Sequence, residues 1–303
     1  MSQKPMDLRG SAMAVILSII FGSNALAIKV SLIGIPPAAS AAIRFIIASL
    51  IFYTYARFKK MELAMTARQW GHVAVLGFLF GVQFTIFYAG VNYTTVSRAA
   101  ILMNTQPFFV AILAHFFLVD DRLNLRKIVG ILLAFAGVLI LFYRSGGEGA
   151  SEHNCLLGDL LVLIAAISWA SQTIYIKRWL DEWESLHLVL HPIAIGIVVL
   201  CISHLIFERN IMLVLNREVV VSILYQSVFV AGMGYLAWTN LLLRYKATHL
   251  SAFIFLMPLS GVLLGTIFMK DPVTARLIGG LVLIVIGILV VNIRPKEFFL
   301  VQE

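Results

Sequence analysis

The stretch FGSNALAIKVS, residues 21–31, places an asparagine, Asn24, and a lysine, Lys29, inside one of the most apolar runs of the chain. Extended to LSIIFGSNALAIKV at 17–30, it aligns with AAISWASQTIYIKR at 165–178, an offset of 148 residues. An aromatic residue, a pair of small residues, an amide and an Ile-Lys pair recur in the same order. The first apolar run is therefore repeated in the second half of the chain.

A second pair of stretches supports the repeat. RKIVGILLAFAGVLIL at 126–141 aligns with RLIGGLVLIVIGILVV at 276–291, and the two share the arginine, an isoleucine and both glycines. Pro107 and Pro258 also correspond, each in the middle of an apolar run. We therefore predict two repeats, residues 1–147 and 148–303.

Composition indicates a membrane protein. Of the 303 residues, 61% are hydrophobic and 13% are charged, whereas a soluble domain is about half apolar and a quarter charged. Apolar runs of about twenty residues can cross roughly 30 Å of hydrocarbon as helices. We predict an all-α integral membrane protein with ten transmembrane helices, at 11–33, 36–56, 70–91, 96–118, 125–143, 157–176, 186–207, 219–243, 248–269 and 275–293.

The number of spans in each repeat predicts how the repeats are oriented. Five is an odd number, so the second repeat enters the membrane from the face opposite to the first. The result is two inverted five-helix repeats, an arrangement typical of transporters that work by alternating access.

The basic residues indicate the topology. With the N-terminus in the cytoplasm, fifteen Lys and Arg residues fall on the inner side and six on the outer side, as the positive-inside rule requires. Both termini are predicted cytoplasmic, and the net charge of +8 is explained without nucleic acid. The short linkers favour a prokaryotic protein, hence a multi-pass protein of the bacterial inner membrane, and they leave no room for a separate soluble domain.

The order and spacing of several motifs resemble those of one family. These motifs are FGSNALAIKV, PPAASAAIRFIIASL (36–50), TVSRAAILMNTQPFFVAILAHFFL (95–118), SWASQTIYIK and YLAWTNLLLRYKATHLSAFIFLMPLSGVLLG (235–265). Over nearly its whole length, the chain resembles the drug/metabolite transporter superfamily with two EamA-type domains. The resemblance implies a ten-helix bundle with a central cavity and with spans 5 and 10 at the periphery. The family's Leu-Gly-Glu motif is absent, and Asp120 and Asp271 lie in the corresponding stretches.

Polar and aromatic side chains inside the spans are the candidates for lining a substrate cavity. A lone amide facing lipid is costly, so each requires a partner in another helix, a water or a ligand. Packing between helices is the alternative interpretation, above all for the aromatic residues. The candidates are Asn24, Lys29, Gln83, Tyr88, Asn104, Gln106, Trp169, Gln172, Tyr175, Tyr235 and Trp238.

Charged residues and prolines give further candidates. Lys29 and Lys177 lie near opposite exits of their spans, where a lysine either extends to the headgroups or contacts a substrate carboxylate or a gating partner. Arg44 and Lys177 are predicted as gating or charge-bearing residues. Pro107 and Pro258 each remove a helix hydrogen bond at mid-span. This predicts a hinge or a substrate-binding site there, and a kink stabilised by packing is the alternative.

The distribution of charged residues narrows the class of substrate. None of the fifteen carboxylates lies in the middle of a predicted span, so a bare organic cation would find no buried counter-charge. An amino acid or a related zwitterionic or anionic metabolite fits better. The chain offers no His-Glu-x-x-His helix, Gly-x-Ser-x-Gly turn or phosphate-binding loop, so an enzyme is not predicted.

The sequence therefore predicts a metabolite transporter that works by alternating access, with efflux as the direction that the resemblance implies. An uptake permease, a facilitator, and a non-transporting sensor or assembly partner remain as alternatives. The expected partners are the lipid bilayer and a small-molecule substrate. No metal or cofactor is predicted, and a monomer or a homodimer is expected. Histidines at 115, 191 and 204 leave proton coupling open.

Overall fold

The structure is a computed structural model that describes residues 7–118, 123–142, 151–179, 186–208, 213–245, 253–254 and 256–292. Within these ranges the chain forms helices and no β-strand. The helices are α1 (Leu8–Gly22), α2 (Asn24–Ser31), α3 (Pro37–Phe58), α4 (Ala67–Tyr93), α5 (Val96–Met103), α6 (Gln106–Phe117), α7 (Leu125–Phe142), α8 (Ser151–Trp179), α9 (His187–Phe207), α10 (Arg217–Leu224), a π-helical segment (Tyr225–Gly234), α11 (Tyr235–Arg244), α12 (Leu256–Met269) and α13 (Ala275–Asn292).

Much of this helical structure is long and apolar enough to cross a membrane. In the described residues seven segments meet this criterion, and Leu256–Met269 and Ala275–Val291 are shorter apolar helices. The all-α membrane class is confirmed, whereas the count of ten spans stays a prediction. The predicted boundary at 147/148 and both chain termini lie outside the described residues. The seven segments are Leu8–Ser31, Pro37–Phe58, Ala67–Tyr93, Val96–Phe117, Cys155–Trp179, His187–Phe207 and Arg217–Trp238.

Capping residues fix where several helices begin. Asp7 accepts a hydrogen bond from the backbone N–H of Gly10 at 2.7 Å, and this bond is the largest cause that lowers the pKa of the Asp7 carboxyl. Thr66 and Gln69 form a reciprocal capping box at the start of α4. Each cap supplies partners for helix N–H groups that have none within the helix.

Three of the long apolar segments are interrupted between their ends. The chain turns at Ser23 between α1 and α2, and at Asn104 and Thr105 between α5 and α6. Pro107 is the second residue of α6, where its missing N–H costs no helix hydrogen bond. Pro258 is the third residue of α12. The third interruption is the π-helical segment, whose register differs from that of the helices around it.

Polar contacts show which helix ends lie at the same end of the bundle. Lys29, near the end of α2, binds the carbonyl of Thr94 just after α4, and the Thr94 hydroxyl donates to Asp159 near the start of α8. We call this the Lys29 end. At the opposite end, the His72 end, His72 near the start of α4 lies 2.8 Å from the hydroxyl of Tyr175 near the end of α8. Helix α8 therefore runs opposite to α4 and to the α1–α2 segment.

Helices α7 and α13 pack mainly against each other. Their closest approach is at two pairs of glycines. A Cβ on Gly137 would lie 2.8 Å from the carbonyl oxygen of Gly280, and one on Gly287 would lie 2.6 Å from that of Gly130. Since residue numbers rise along one helix as they fall along the other, the two helices are antiparallel. Only glycine lets the two backbones approach so closely.

Candidate functional site

A cluster of four polar side chains lies between helices from both halves of the chain. Arg44 of α3 is 5% exposed, and its Nη1 donates to Asn24 Oδ1 at 2.9 Å and to the hydroxyl oxygen of Tyr88 at 3.2 Å. The Tyr88 hydroxyl in turn donates to Gln226 Oε1 in the π-helical segment. We call Asn24, Arg44, Tyr88 and Gln226 the Arg44 cluster. Arg44 lies seven residues from the start of α3, about 10 Å along its axis.

No carboxylate in the described part of the chain neutralises the charge of Arg44. A guanidinium remains protonated in proteins. The rings of Phe45 and Phe84 lie 5.1 and 5.9 Å from its Cζ atom. Such cation–π contacts contribute about 0.5–2 kcal/mol each, whereas the desolvation of a buried ion costs several kcal/mol. The aromatic rings therefore offset only part of the cost.

Several buried donors in and beside the cluster also have no partner within the described part of the chain. They are Arg44 Nε, Gln226 Nε2 and Gln83 Nε2. The side chain of Gln226 is fully buried and that of Gln83 is 2% exposed. Each unsatisfied donor costs about 1–3 kcal/mol. Donors left open next to an uncompensated positive charge form a site suited to an acceptor from outside the protein.

A second polar pair lies five residues before Tyr88 on α4. Gln172 Nε2 of α8 donates to Gln83 Oε1. The ring of Phe84, next to Gln83 in the sequence, lies 6.4 Å from those of both Tyr88 and Trp169. The structure thus brings the predicted residues Asn24, Arg44, Gln83, Tyr88, Trp169 and Gln172 to neighbouring positions around α4.

Two predicted aromatic residues make their contacts elsewhere. Tyr235 packs edge-on against Phe52, with ring centroids 6.5 Å apart, and is 44% exposed. Trp238 packs edge-on against Phe21 at 5.9 Å. Both contacts tie α11 to its neighbours and are of the kind expected from packing.

The remaining predicted polar candidates also lie outside the Arg44 cluster. Tyr175 is at the His72 end of the bundle, where its hydroxyl bonds to His72. Asn104 donates to the carbonyl of Ala100 in its own span, at 2.8 Å. Gln106 is partly buried at the start of α6.

The two predicted lysines have very different surroundings. Lys29 Nζ donates to the carbonyls of Val91, Asn92 and Thr94, each at 2.8 Å. An ammonium has three donors, so all are used to cap the C-terminal end of α4, where a positive charge is favoured. Lys177 is exposed, and the described residues make no hydrogen bond or ion pair with it. The sequence suggested a headgroup or a substrate contact for Lys29, but not a helix cap.

Comparison with known proteins gives the family. Residues 8–143 and 156–293 each match the model of the EamA-like transporter family. The chain belongs to this family. The drug/metabolite transporter resemblance inferred from the motifs is thereby confirmed, and the protein is a membrane transporter.

Relatives of this EamA-like transporter cover nearly all of it. "Uncharacterized transporter YvbV" of Bacillus subtilis is 30% identical over 302 residues, 98% of this chain and 95% of that protein. "Probable amino-acid metabolite efflux pump" of Escherichia coli is 25% identical over 292 residues, 93% of this chain and 94% of that protein. A solved crystal structure aligns with a TM-score of 0.67 and 17% identity, covering 94% of this chain and 98% of its own. That likeness shows the fold alone.

The EamA-like chain has one buried ion pair that sequence reasoning missed. Arg98 Nε donates to both carboxylate oxygens of Asp159, at 3.1 and 2.9 Å, and its Nη2 donates to the carbonyl of Leu141 at 2.6 Å. Asp159 is fully buried. A signal was available, because each residue is the third of a predicted span, at 96–118 and 157–176. The chain crosses the membrane twice between the starts of these spans, so both starts lie at the same membrane face.

Two other carboxylates of this EamA-like protein stabilise helix starts. Glu208 accepts hydrogen bonds from the backbone N–H groups of Ala38 and Ala39 at 2.7 and 3.2 Å. Asp271 accepts one from the N–H of Ser97 at 2.7 Å. A carboxylate at a helix N-terminus is favoured by the unpaired N–H groups there. Asp271 thus acts as a cap, and Asp120 lies outside the described residues.

Proposed function

We propose that this EamA-like transporter moves a small metabolite, an amino acid or a related zwitterionic or anionic solute, across the bacterial inner membrane by alternating access. We further propose that it works in the direction of efflux, and that it has ten spans in two inverted repeats. The observation that carries the proposal is the Arg44 cluster. Three of its residues come from the first half of the chain and Gln226 from the second, so relative movement of the halves would rebuild the site.

The packing of equivalent helices supports the inverted repeats. In the sequence alignment Gly130 corresponds to Gly280, and Gly137 to Gly287. In the structure Gly130 meets Gly287, while Gly137 meets Gly280. If each glycine is replaced by its equivalent in the other half, the Gly130–Gly287 contact becomes the Gly280–Gly137 contact. This is the pattern expected of a two-fold axis between α7 and α13, and such an axis lets the repeats exchange conformations.

A second pair of contacts follows the same pattern. Thr94 caps the C-terminus of α4, and its hydroxyl donates to Asp159 near the start of α8. Tyr245 caps the C-terminus of α11, and its hydroxyl donates to Asp7 just before α1, at 2.8 Å. Thr94 and Tyr245 are 151 residues apart, as are Pro107 and Pro258. Both bonds thus join equivalent parts of the two halves at opposite ends of the bundle.

Lys29 and Lys177 have different surroundings, which supports a cycle in which the two ends of the bundle open in turn. Lys29 is bound by three carbonyls at the end of α4, whereas Lys177 is exposed. The equivalent carbonyls for Lys177 are at the end of α11. We infer that the Lys29 end is closed in this conformation, and that in the opposite conformation Lys177 caps α11 while Lys29 is released.

The distribution of basic residues supports the orientation in the membrane, and one relative supports the direction of transport. With both termini in the cytoplasm, the Lys29 end faces outward. The relative in Escherichia coli carries the name of an amino-acid metabolite efflux pump at 25% identity. An export cycle would load substrate at the His72 end and release it when the Lys29 cap opens.

Counterflow into proteoliposomes tests the proposal. Purified full-length protein is reconstituted, and the uptake of labelled amino acids and organic acids is measured against an unlabelled internal pool. We expect saturable counterflow for at least one amino acid or carboxylic acid. No saturable flux for any of them, from protein shown by thermal unfolding to be folded, would refute the substrate class. Cells preloaded with the transported solute then test the direction, since an exporter shortens its retention.

A further inference from the structure

We propose that the Arg44 cluster binds the carboxylate group of the substrate, and that this carboxylate, not an ammonium, is the group that a solute must carry. The inference rests on the proposed function and deepens it. It predicts that 2-oxo and 2-hydroxy acids are recognised along with the corresponding amino acids, and that amines and amides of the same shape are not.

The free edge of Arg44 has the geometry of a carboxylate receptor. A guanidinium has five N–H donors in a planar fork, and the two bonds that the structure shows both use Nη1. Among the described residues, neither Nε nor Nη2 has a hydrogen-bond acceptor. Nε and Nη2 form one edge of the fork, and two parallel N–H groups along such an edge bind the two oxygens of a carboxylate.

Neighbouring groups favour an anion over a cation at this place. Gln226 Nε2 is a buried donor without a partner, and Tyr88 connects it to Arg44. The buried carboxylates of the described residues are engaged elsewhere, Asp159 with Arg98, Glu208 with His204 and Asp271 with the backbone N–H of Ser97. An incoming carboxylate would therefore meet a positive charge and free donors, and no anion of the described residues pairs with them.

An ammonium finds much weaker recognition here. The acceptors of the cluster are neutral oxygens, and each already receives a hydrogen bond. Asn24 Oδ1 and the Tyr88 hydroxyl accept from Arg44, and Gln226 Oε1 accepts from Tyr88. The positive charge of Arg44 also repels a second cation. Replacing the ammonium of an amino acid by a keto or hydroxyl group should therefore change affinity little, whereas removing the carboxylate should change it strongly.

A series of matched compounds tests the inference. The rings of Phe84 and Trp169 lie beside the cluster, so the probes are phenylalanine, phenylpyruvate, 3-phenyllactate, phenylalaninamide and phenethylamine, with a parallel leucine series. Each compound competes with labelled phenylalanine in counterflow. We expect the two acids that lack the ammonium to compete within about tenfold of phenylalanine, and the two compounds that lack the carboxylate to be about 10- to 100-fold weaker, as expected for a lost charged hydrogen bond.

A binding measurement separates this inference from the transport proposal. The same compounds are tested for their effect on the unfolding temperature of the purified protein, since a ligand of the folded state stabilises it. Stabilisation by the acids alone, without flux, contradicts transport but supports the carboxylate site. Equal effects of acids and amines, or no effect of any acid in either series, overturn the carboxylate site whether or not flux is seen.

Substitution of Arg44 assigns the selectivity to that residue. In Arg44→Gln the preference for phenylpyruvate over phenethylamine should fall below about threefold. Arg44→Lys keeps the charge but loses the planar fork, so an intermediate preference is expected. Arg217→Gln, an exposed arginine at the start of α10, is the matched control and should retain the full preference. A preference that persists in Arg44→Gln overturns the assignment. If that variant does not fold, Arg44→Lys and the compound series on the unmodified protein still decide the question.

Discussion

The carbonyl oxygen of Gly280 in α13 lies 2.8 Å from the place that a Cβ on Gly137 of α7 would occupy. The two backbones thus touch without a side chain between them. The neighbouring Gly279 is different, because a Cβ there would meet only Ile140 Cγ2, at 4.0 Å. Two adjacent glycines of one helix therefore differ in whether they hold the contact between α7 and α13.

This difference predicts opposite effects of two matched substitutions. In Gly280→Ala the added methyl would lie 2.7 Å from Leu141 Cγ and 3.0 Å from the Gly137 carbonyl oxygen. We expect a loss of about 1–3 kcal/mol in the free energy of unfolding. Gly279→Ala adds no clash and should gain up to about 1 kcal/mol from helix propensity. Thermal unfolding in detergent gives the order, and a less stable Gly279→Ala would contradict the packing described.

The stability of the protein is expected to depend strongly on the presence of both Arg98 and Asp159. Asp159→Asn leaves the Arg98 guanidinium without a counter-charge at a largely buried position. Breaking such a pair costs about 3–5 kcal/mol when it is fully buried, and since Arg98 is 19% exposed we expect about 2 kcal/mol. The double variant Arg98→Met/Asp159→Leu should be more stable than Asp159→Asn. Chemical unfolding of the unmodified protein and the two variants measures this, and a double variant less stable than Asp159→Asn would argue against the pair.

Removing Lys29 and removing Lys177 should have different effects on the exposure of a native cysteine. Cys155 Sγ lies 3.5 Å from the hydroxyl of Thr94, whose carbonyl binds Lys29. Lys29→Met removes the cap and should raise the rate at which a membrane-impermeant maleimide labels Cys155. Lys177→Met removes the cap of the opposite conformation, so labelling should fall or stay the same.

Cys201 is replaced by serine in every protein of this experiment, because it is also a free thiol and is exposed. Equal acceleration of Cys155 labelling by both lysine variants would contradict alternation between the two caps. A loss of cooperative thermal unfolding in Lys29→Met would identify a folding defect instead, and Lys29→Arg, which keeps the charge, should then restore slow labelling.

Removal of the Tyr88 hydroxyl should impair transport, because this hydroxyl links Arg44 in the first half of the chain to Gln226 in the second. Tyr88→Phe keeps the ring but leaves Gln226 Oε1 without its donor, so we expect a loss of about 1–3 kcal/mol in stability and a clear fall in counterflow rate. Tyr93→Phe is the control, since Tyr93 is 45% exposed at the end of α4. If both variants transport at the unmodified rate, the bond between the halves has no part in the cycle.

The sequence predicted the helices and much of the candidate site because both depend on local patterns. Polar residues such as Gln83 and Gln172 stood out against apolar runs, and the structure joins them by a hydrogen bond. Gln226 is equally isolated in its run, but its place beside Tyr88 depends on a π-helical register. Hydrophobic periodicity of 3.6 residues does not reveal such a change of register.

The role of Lys29 shows a second limit. Its spacing located it near a helix end, but its partners are backbone carbonyls some 60 residues away in the chain. Every helix end has unpaired carbonyls, so no residue type marks the particular end that a lysine will cap. Arg98 and Asp159 were within reach of the sequence, because topology alone places the starts of their spans at one face.

The uncompensated charge of Arg44 has a consequence for the cell's ion gradients. A permanent positive charge in a medium of low dielectric constant raises the energy of any other cation that approaches it. Sodium ions and hydronium ions are therefore repelled from the cluster, while an anionic group is drawn in. In the proposed cycle, the Arg44 cluster would therefore select against sodium ions and protons as co-transported ions.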